Sequence, residues 1–183
     1  MKNKFIHSSA VVEPGAKVAN DVIVGPFSYI GAEVTLHSGV EIKSHVVVTG
    51  MTEIDQETVI YPFAVIGEIP QDLKFNGEKT SLKIGKRNQI RESVTINLGT
   101  AGGSGETLVG DNCLFMTGSH VAHDAIIGNN VIIANNVPLG GHAIIEDNVI
   151  IGGNSAVQQF TRIGKMAMIG GMTGVLHDVI PYG

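Results

Sequence analysis

The sequence predicts a parallel β-helix, a chain wound into stacked coils, and three observations carry that reading. Aliphatic residues recur every six positions. A second column of small or β-branched residues lies four positions after them. The composition is rich in glycine (24 residues), low in aromatic residues (5 %) and free of tryptophan, which suits a backbone that turns often around a core of small branched side chains.

The first column starts at Ile6, Val12, Val18 and Val24 and holds without exception to Ile66. It returns in phase at Ile84, Ile90 and Ile96. After a one-residue shift it runs from Val109 through Phe115, Val121, Ile127 and Ile133 to Val175. The second column includes Ala10, Val22, Val34, Val46, Cys113, Ala125, Val137, Ala143 and Val149. A helix would show a period of 3.6, and a half-buried strand a period of two. A period of six fits a short strand followed by a sharp turn, three times per coil, or about 18 residues per winding of a triangular prism. Both columns then point inward. Parallel pairing stacks the coils at roughly 4.8 Å, so about ten coils make a rod on the order of 45 Å long.

The chain reads as a single domain, 1–183, with the repeat broken twice, near 67–83 and 99–108. Insertions in a solenoid become surface loops, often on the binding face. The net charge of −5 argues against a nucleic-acid partner. Even so, Lys74, Lys79, Lys83, Lys86, Arg87 and Arg91 fall close together, half of the twelve basic residues, and lead us to expect a local basic surface for an acidic partner or a phosphate. The lone cysteine, Cys113, rules out a disulfide framework. The opening Met1-Lys2-Asn3-Lys4-Phe5 lacks the apolar run of a signal peptide, and no stretch reaches 18 uninterrupted apolar residues. A cytoplasmic protein with no membrane span is expected.

Chemistry concentrates in the histidines. Three of the seven, His120, His123 and His142, lie in Gly118–Asp124 and Gly140–His142. Adding 18 to His123 gives Gly141, and adding 18 again gives Gln159. Asp124 likewise falls under His142 and Phe160. One corner should therefore carry imidazoles, a carboxylate, a glycine backbone and an amide. An imidazole titrating near neutrality is a general base, and a carboxylate can orient it. A glycine N–H is open to a developing oxyanion. These parts suit acyl transfer to a hydroxyl. A three-histidine zinc site is the rival, but the ligand spacing is irregular and no cysteine is near, so no metal is expected.

These residues resemble a known family, the UDP-N-acetylglucosamine O-acyltransferases that begin lipid A synthesis. The likeness runs from about Ile6 to Tyr182. It is carried by Ile66-Gly67-Glu68 with Gln71-Asp72-Leu73-Lys74, by Ile90-Arg91-Glu92-Ser93-Val94-Thr95-Ile96, by Ala122-His123-Asp124 and by Gly141-His142. The resemblance implies a left-handed parallel β-helix and a homotrimer with active sites between subunits. It implies transfer of a 3-hydroxyacyl group from acyl carrier protein to the glucosamine 3-hydroxyl, with no cofactor beyond the carrier's phosphopantetheine arm. On matching positions His123 is the general base, Asp124 its orienter and the Gly141 amide the oxyanion donor. Gln71, Asp72 and Lys74 hold the sugar nucleotide, and His120 and His142 line the sugar and phosphate region. Met168 and Gly171 match positions that set acyl-chain length, and an acidic carrier gives the basic cluster a purpose.

Two departures stand out. Gln158 replaces a histidine often found in that turn, so it can hydrogen-bond substrate beside Gln159 but cannot titrate. The family also continues into a helical C-terminal domain, which is expected to be absent from these 183 residues. The alternatives are the N-acyltransferase of the same pathway, which usually carries an extra N-terminal domain, and a truncated β-helical scaffold without turnover.

Overall fold

Along most of the chain each hexapeptide forms one two-residue strand and one turn, as in His120–Val121, Ile126–Ile127, Ile132–Ile133 and Pro138–Leu139. Successive strand residues point to opposite faces, so the anchor goes inward and its predecessor outward. Burial alternates accordingly, with Ile133, Leu139 and Ile151 fully buried while Ile126 and Ile150 stay exposed. This computed structural model describes residues 5–183. Met1–Lys4, the start of the segment read above as lacking an apolar run, lie outside the described residues.

Three parallel sheets form the sides of the prism. The first has nine strands from Phe5–Ile6 to Met168–Ile169, the second nine from Val11–Val12 to Gly174–Val175, and the third eight from Lys17–Val18 to Arg162–Ile163. Each strand pairs with the one a winding away: Leu114 with Ile132, Ile132 with Ile150, Ile150 with Met168. The fold is a left-handed parallel β-helix. Nine rungs stand where chain length alone suggests about ten, because residues 69–80 and 98–105 leave the sheets as loops.

Those loops are shorter than the breaks in the repeat, 67–83 and 99–108. Gly67 and Glu68 extend the strand Val65–Glu68, and Ser81–Ile84 and Glu106–Val109 are four-residue strands. The last two pair residue for residue, and Ser81–Ile84 pairs in the same way with Met51–Ile54. Here the chain stays extended on one face and alternates inward and outward over four residues, so the hexapeptide phase is lost while the strand remains.

Aliphatic anchors fill the axis, with Phe115 the largest fully buried side chain. The second column lies beside them, and several of its polar members bond to the backbone. Ser28 donates to Lys43 O at 2.8 Å and Thr58 to Gly85 O at 2.9 Å. Asn88, completely buried, donates from Nδ2 to Gly85 O and Gly110 O and accepts from Cys113 N at 2.7 Å. An interior amide at the corner can satisfy carbonyls that the turn leaves free. Burial pushes the Cys113 thiol up to about 11, so it acts as a packing residue.

The residues expected to make one basic surface are divided between two sides of the prism and the 69–80 loop. Lys83 lies on the third sheet, 2.8 Å from Glu106, and Arg87 donates to Asn112 at the corner of the third and first sheets. Arg91 pairs with Glu92 and lies 4.4 Å from the Tyr61 ring centroid on the first sheet, while Lys74 is in the 69–80 loop. Eighteen residues make one full turn, so charges that are neighbours in sequence are spread around the prism.

Because Phe115 sits on the axis with no route for solvent, Phe115→Ala should cost about 3–5 kcal/mol of stability, read as a lowered denaturant midpoint at unchanged slope.

Candidate active site

The stack expected at one corner forms between the second and third sheets, where three successive turns leave the strands His120–Val121, Pro138–Leu139 and Ala156–Val157. The backbone sets the register. His142 N donates to His123 O and Phe160 N to Gly141 O, both at 3.0 Å. Asp124, His142 and Phe160 occupy the left-handed region, with φ of 58°, 61° and 63°. Similar values recur at Asn112, Asn130 and Asn148 on another corner, so this conformation belongs to the turn of the fold and does not mark the site.

Asp124 is the centre of the polar network. Its side chain is 1 % exposed. Oδ2 accepts from Thr100 Oγ1 at 2.7 Å and from His123 Nδ1 at 2.8 Å. Thr100 N donates to both carboxylate oxygens, at 3.2 and 3.1 Å, and Gly105 N donates to Oδ1 at 3.2 Å. The Asp124 backbone N–H donates to Thr107 Oγ1 at 2.9 Å. Burial alone would raise the Asp124 carboxyl, but the bonds from Thr100 and His123 outweigh it and hold the group below the usual carboxylate range.

An ionised carboxylate only accepts, so the His123 proton facing it sits on Nδ1 and leaves Nε2 with a lone pair. That side of the ring packs on Gly141: a Cβ added there would come within 2.7 Å of His123 Cε1 and Nε2. The Gly141 N–H donates to no acceptor among the described residues. Above the dyad, His142 stacks on Phe160 with centroids 4.4 Å apart and meets His123 edge-on at 5.1 Å. His120 lies one strand before, its Nδ1 sharing a 2.7 Å hydrogen bond with Thr95 Oγ1. Burial, with a smaller effect from His123, pushes the His120 imidazole down and favours its neutral form.

The 69–80 loop closes the side of this corner. Its root is held by Asn97 Nδ2, which donates to Glu68 O and Ile69 O. Gln71, Asp72, Leu73 and Lys74 then share an open cleft of about 500 Å³ with His123, His142, Gln159 and Phe160. Asp72 also caps its own turn, accepting from Lys74 N at 3.0 Å. Gln158 is exposed in the same turn as Gln159. Met168 and Gly171 lie elsewhere, on the first sheet and on its corner with the second, so one chain does not bring them to His123.

Donor atoms of His123, Asp124 and His142 lie within 4.8 Å of one another, a spacing that admits a metal ion. Both Asp124 oxygens are already engaged by protein donors, and an ion there would have to displace the His123 proton. The arrangement is better suited to moving a proton between His123 Nε2 and a group in the cleft. Thr100, Thr107 and Thr95 complete the site beside Phe160, and no role is read for these three threonines from sequence. Thr107 and Thr95 follow inward and outward strand positions, whereas Thr100 sits in a stretch with no period to read.

The Asp124 carboxyl titrates lower in the fold than in the unfolded chain, so its contribution is complete above about pH 4 and is lost as pH falls through the folded value. Asp124→Asn should therefore cost about 1–3 kcal/mol at neutral pH, and the gap to wild type should narrow in acid, as followed by denaturant titration across pH.

Comparison with known proteins bears on the fold and the family. The bacterial transferase hexapeptide (six repeats) family matches residues 15–50 and 106–137. A Rhizobium johnstonii protein named acyl-[acyl-carrier-protein]--UDP-N-acetylglucosamine O-acyltransferase is 54 % identical over 97 % of this chain and 65 % of its own length. An Agrobacterium fabrum protein of the same name is 51 % identical over 97 % and 66 %. The chain thus spans just under two thirds of the length of these curated relatives. The solved structure of LpxA from Acinetobacter baumannii superposes with a TM-score of 0.96 at 46 % identity, covering 97 % of this chain and 69 % of that one. A Campylobacter jejuni UDP-N-acetylglucosamine acyltransferase gives 0.93 at 38 %, covering 97 % and 69 %. With 46 % and 38 % identity over nearly its whole length and two thirds or more of these structures covered, the chain belongs to the UDP-N-acetylglucosamine acyltransferase family.

Proposed function

We propose that the protein transfers a 3-hydroxyacyl group from acyl carrier protein to the 3-hydroxyl of UDP-N-acetylglucosamine, the opening step of lipid A synthesis. The observation that carries this reading is the aligned series Asp124, His123, Gly141. The Asp124 carboxylate holds the Nδ1 proton, Nε2 is left to act as base, and a free backbone N–H lies beside it. The names of the relatives point to the same reaction.

In this mechanism His123 Nε2 takes the proton of the sugar 3-hydroxyl as its oxygen attacks the thioester carbon. The carbonyl oxygen becomes an oxyanion and accepts from the Gly141 N–H. Asp124 stabilises the imidazolium. Collapse breaks the carbon–sulfur bond, and His123 returns the proton to the departing phosphopantetheine thiolate. The cycle balances with no metal or further cofactor. Gln71, Asp72 and Lys74 approach the nucleotide sugar from the loop. His120, His142, Gln158 and Gln159 line its path on the prism, and Phe160 buttresses His142.

The active unit in this reading is a homotrimer of parallel prisms. Met168, 68 % exposed on the first sheet, and Gly171 then reach the cleft from a neighbouring subunit and bound the acyl chain. Leu73, fully exposed at the loop tip, gains cover there too. The carrier docks without a basic strip of contiguous sequence, because the Lys74–Arg91 charges face three ways. The setting is the cytoplasm, and among the described residues no helix is long and apolar enough to cross a membrane.

The test is acyl transfer from 3-hydroxyacyl carrier protein to UDP-N-acetylglucosamine. His123→Ala should lower the rate about 10²–10⁴-fold, and Gly141→Ala should do comparable damage by pushing the base aside. Equal rates for wild type and His123→Ala would remove the base. A wild type that sediments as a trimer without turnover would favour the scaffold reading, and a stable monomer would exclude a shared cleft.

A further inference from the structure

The glycine-rich loop between Asn97 and Glu106 does more than fill a gap in the repeat. It lies flat on the Asp124 carboxylate: a Cβ at Gly103 would come within 2.4 Å of the carboxylate carbon and Oδ1. The loop is braced on itself, with Gly103 N and Gly105 N both donating to Thr100 O at 3.1 and 3.0 Å. Ser104 Oγ lies 3.2 Å from Oδ1, but its single proton has a nearer acceptor in Glu106 O at 2.8 Å. Thr100 is the loop's committed hydroxyl donor, buried and 2.7 Å from Oδ2. That oxygen also accepts the His123 Nδ1 proton.

Two donors on one carboxylate oxygen compete for its charge. A hydrogen bond from Thr100 spreads the charge on Oδ2 and weakens its pull on the imidazole proton. Without it, Oδ2 is more basic and the imidazolium of His123 is held more strongly. We propose that Thr100, through its hydroxyl bond to Asp124 Oδ2, is a positioning residue that sets the basicity of His123. The inference rests on the reading of His123 as the base, and it is tested on the ring itself.

The Thr100 hydroxyl bonds to Asp124, and the other titratable or charged groups facing His123 make no hydrogen bond to it. They are His142 in the next turn, His120 on the preceding strand, and Asp72 and Lys74 across the cleft. A shift in His123 therefore reports the Thr100–Asp124 bond.

The experiment titrates the His123 Cε1–H resonance in histidine-labelled 183-residue protein, assigned by its loss in His123→Gln. Thr100→Val should move the His123 midpoint upward by about half a pH unit or more, and Thr100→Ser should restore the wild-type value. If the valine methyl prevents folding, Thr100→Ala is read in the same way. A midpoint unchanged on loss of the hydroxyl, or moved equally by Thr100→Ser, overturns the proposal. A shifted midpoint in a protein without acyl transfer keeps Thr100 in this role while the proposed reaction falls. An active wild type with an unmoved midpoint does the reverse.

Discussion

Rung-over-rung backbone pairing is the constraint on which the rest of the molecule depends. Each coil donates to the next through bonds such as Leu114 N to Val131 O and Ile132 N to Val149 O, both 2.9 Å. A two-residue strand makes few such bonds, so no coil is stable alone. Stability comes from the stack, where the anchors from Val24 onward are buried between the anchors above and below. The penalty for a register slip is severe, because a one-residue shift would turn the inward column outward.

The same constraint supplies the precision of the catalytic corner. Turns separated by one winding are fixed in height by bonds from His142 N to His123 O and from Phe160 N to Gly141 O. Side chains on these turns inherit that spacing, and so His142 lies flat on Phe160 and His123 lies on Gly141. A ladder of turns gives only vertical order, however. Lateral order comes from the two loops that leave the prism: 98–105 encloses Asp124, and 69–80 closes the cleft wall. Rigid coils hold the proton-transfer groups, while the wall facing substrate is built from a loop with exposed Gln71, Leu73 and Lys74.

Burying Asp124 as an anion is costly unless its oxygens are filled. The protein fills them with backbone N–H groups, one threonine hydroxyl and the imidazole. Among the described residues no arginine or lysine is paired with it. A cation there would neutralise the carboxylate and weaken its hold on His123, whereas neutral donors stabilise the charge and leave it available to the ring.

The sequence by itself determined the winding, the inward columns, and the meeting of His123 with Gly141 and of Asp124 with His142. These follow from arithmetic, because a strict period converts sequence separation into height on the prism. It did not reveal that Lys83 and Arg91 part company, since a separation of six residues already carries the chain from one side of the prism to the next when one winding takes 18 residues. Only the tertiary structure decided where the aperiodic segments go. Thr100 reaches Asp124 through a loop whose path is set by what it can pack on and bond to, and no spacing rule encodes that path.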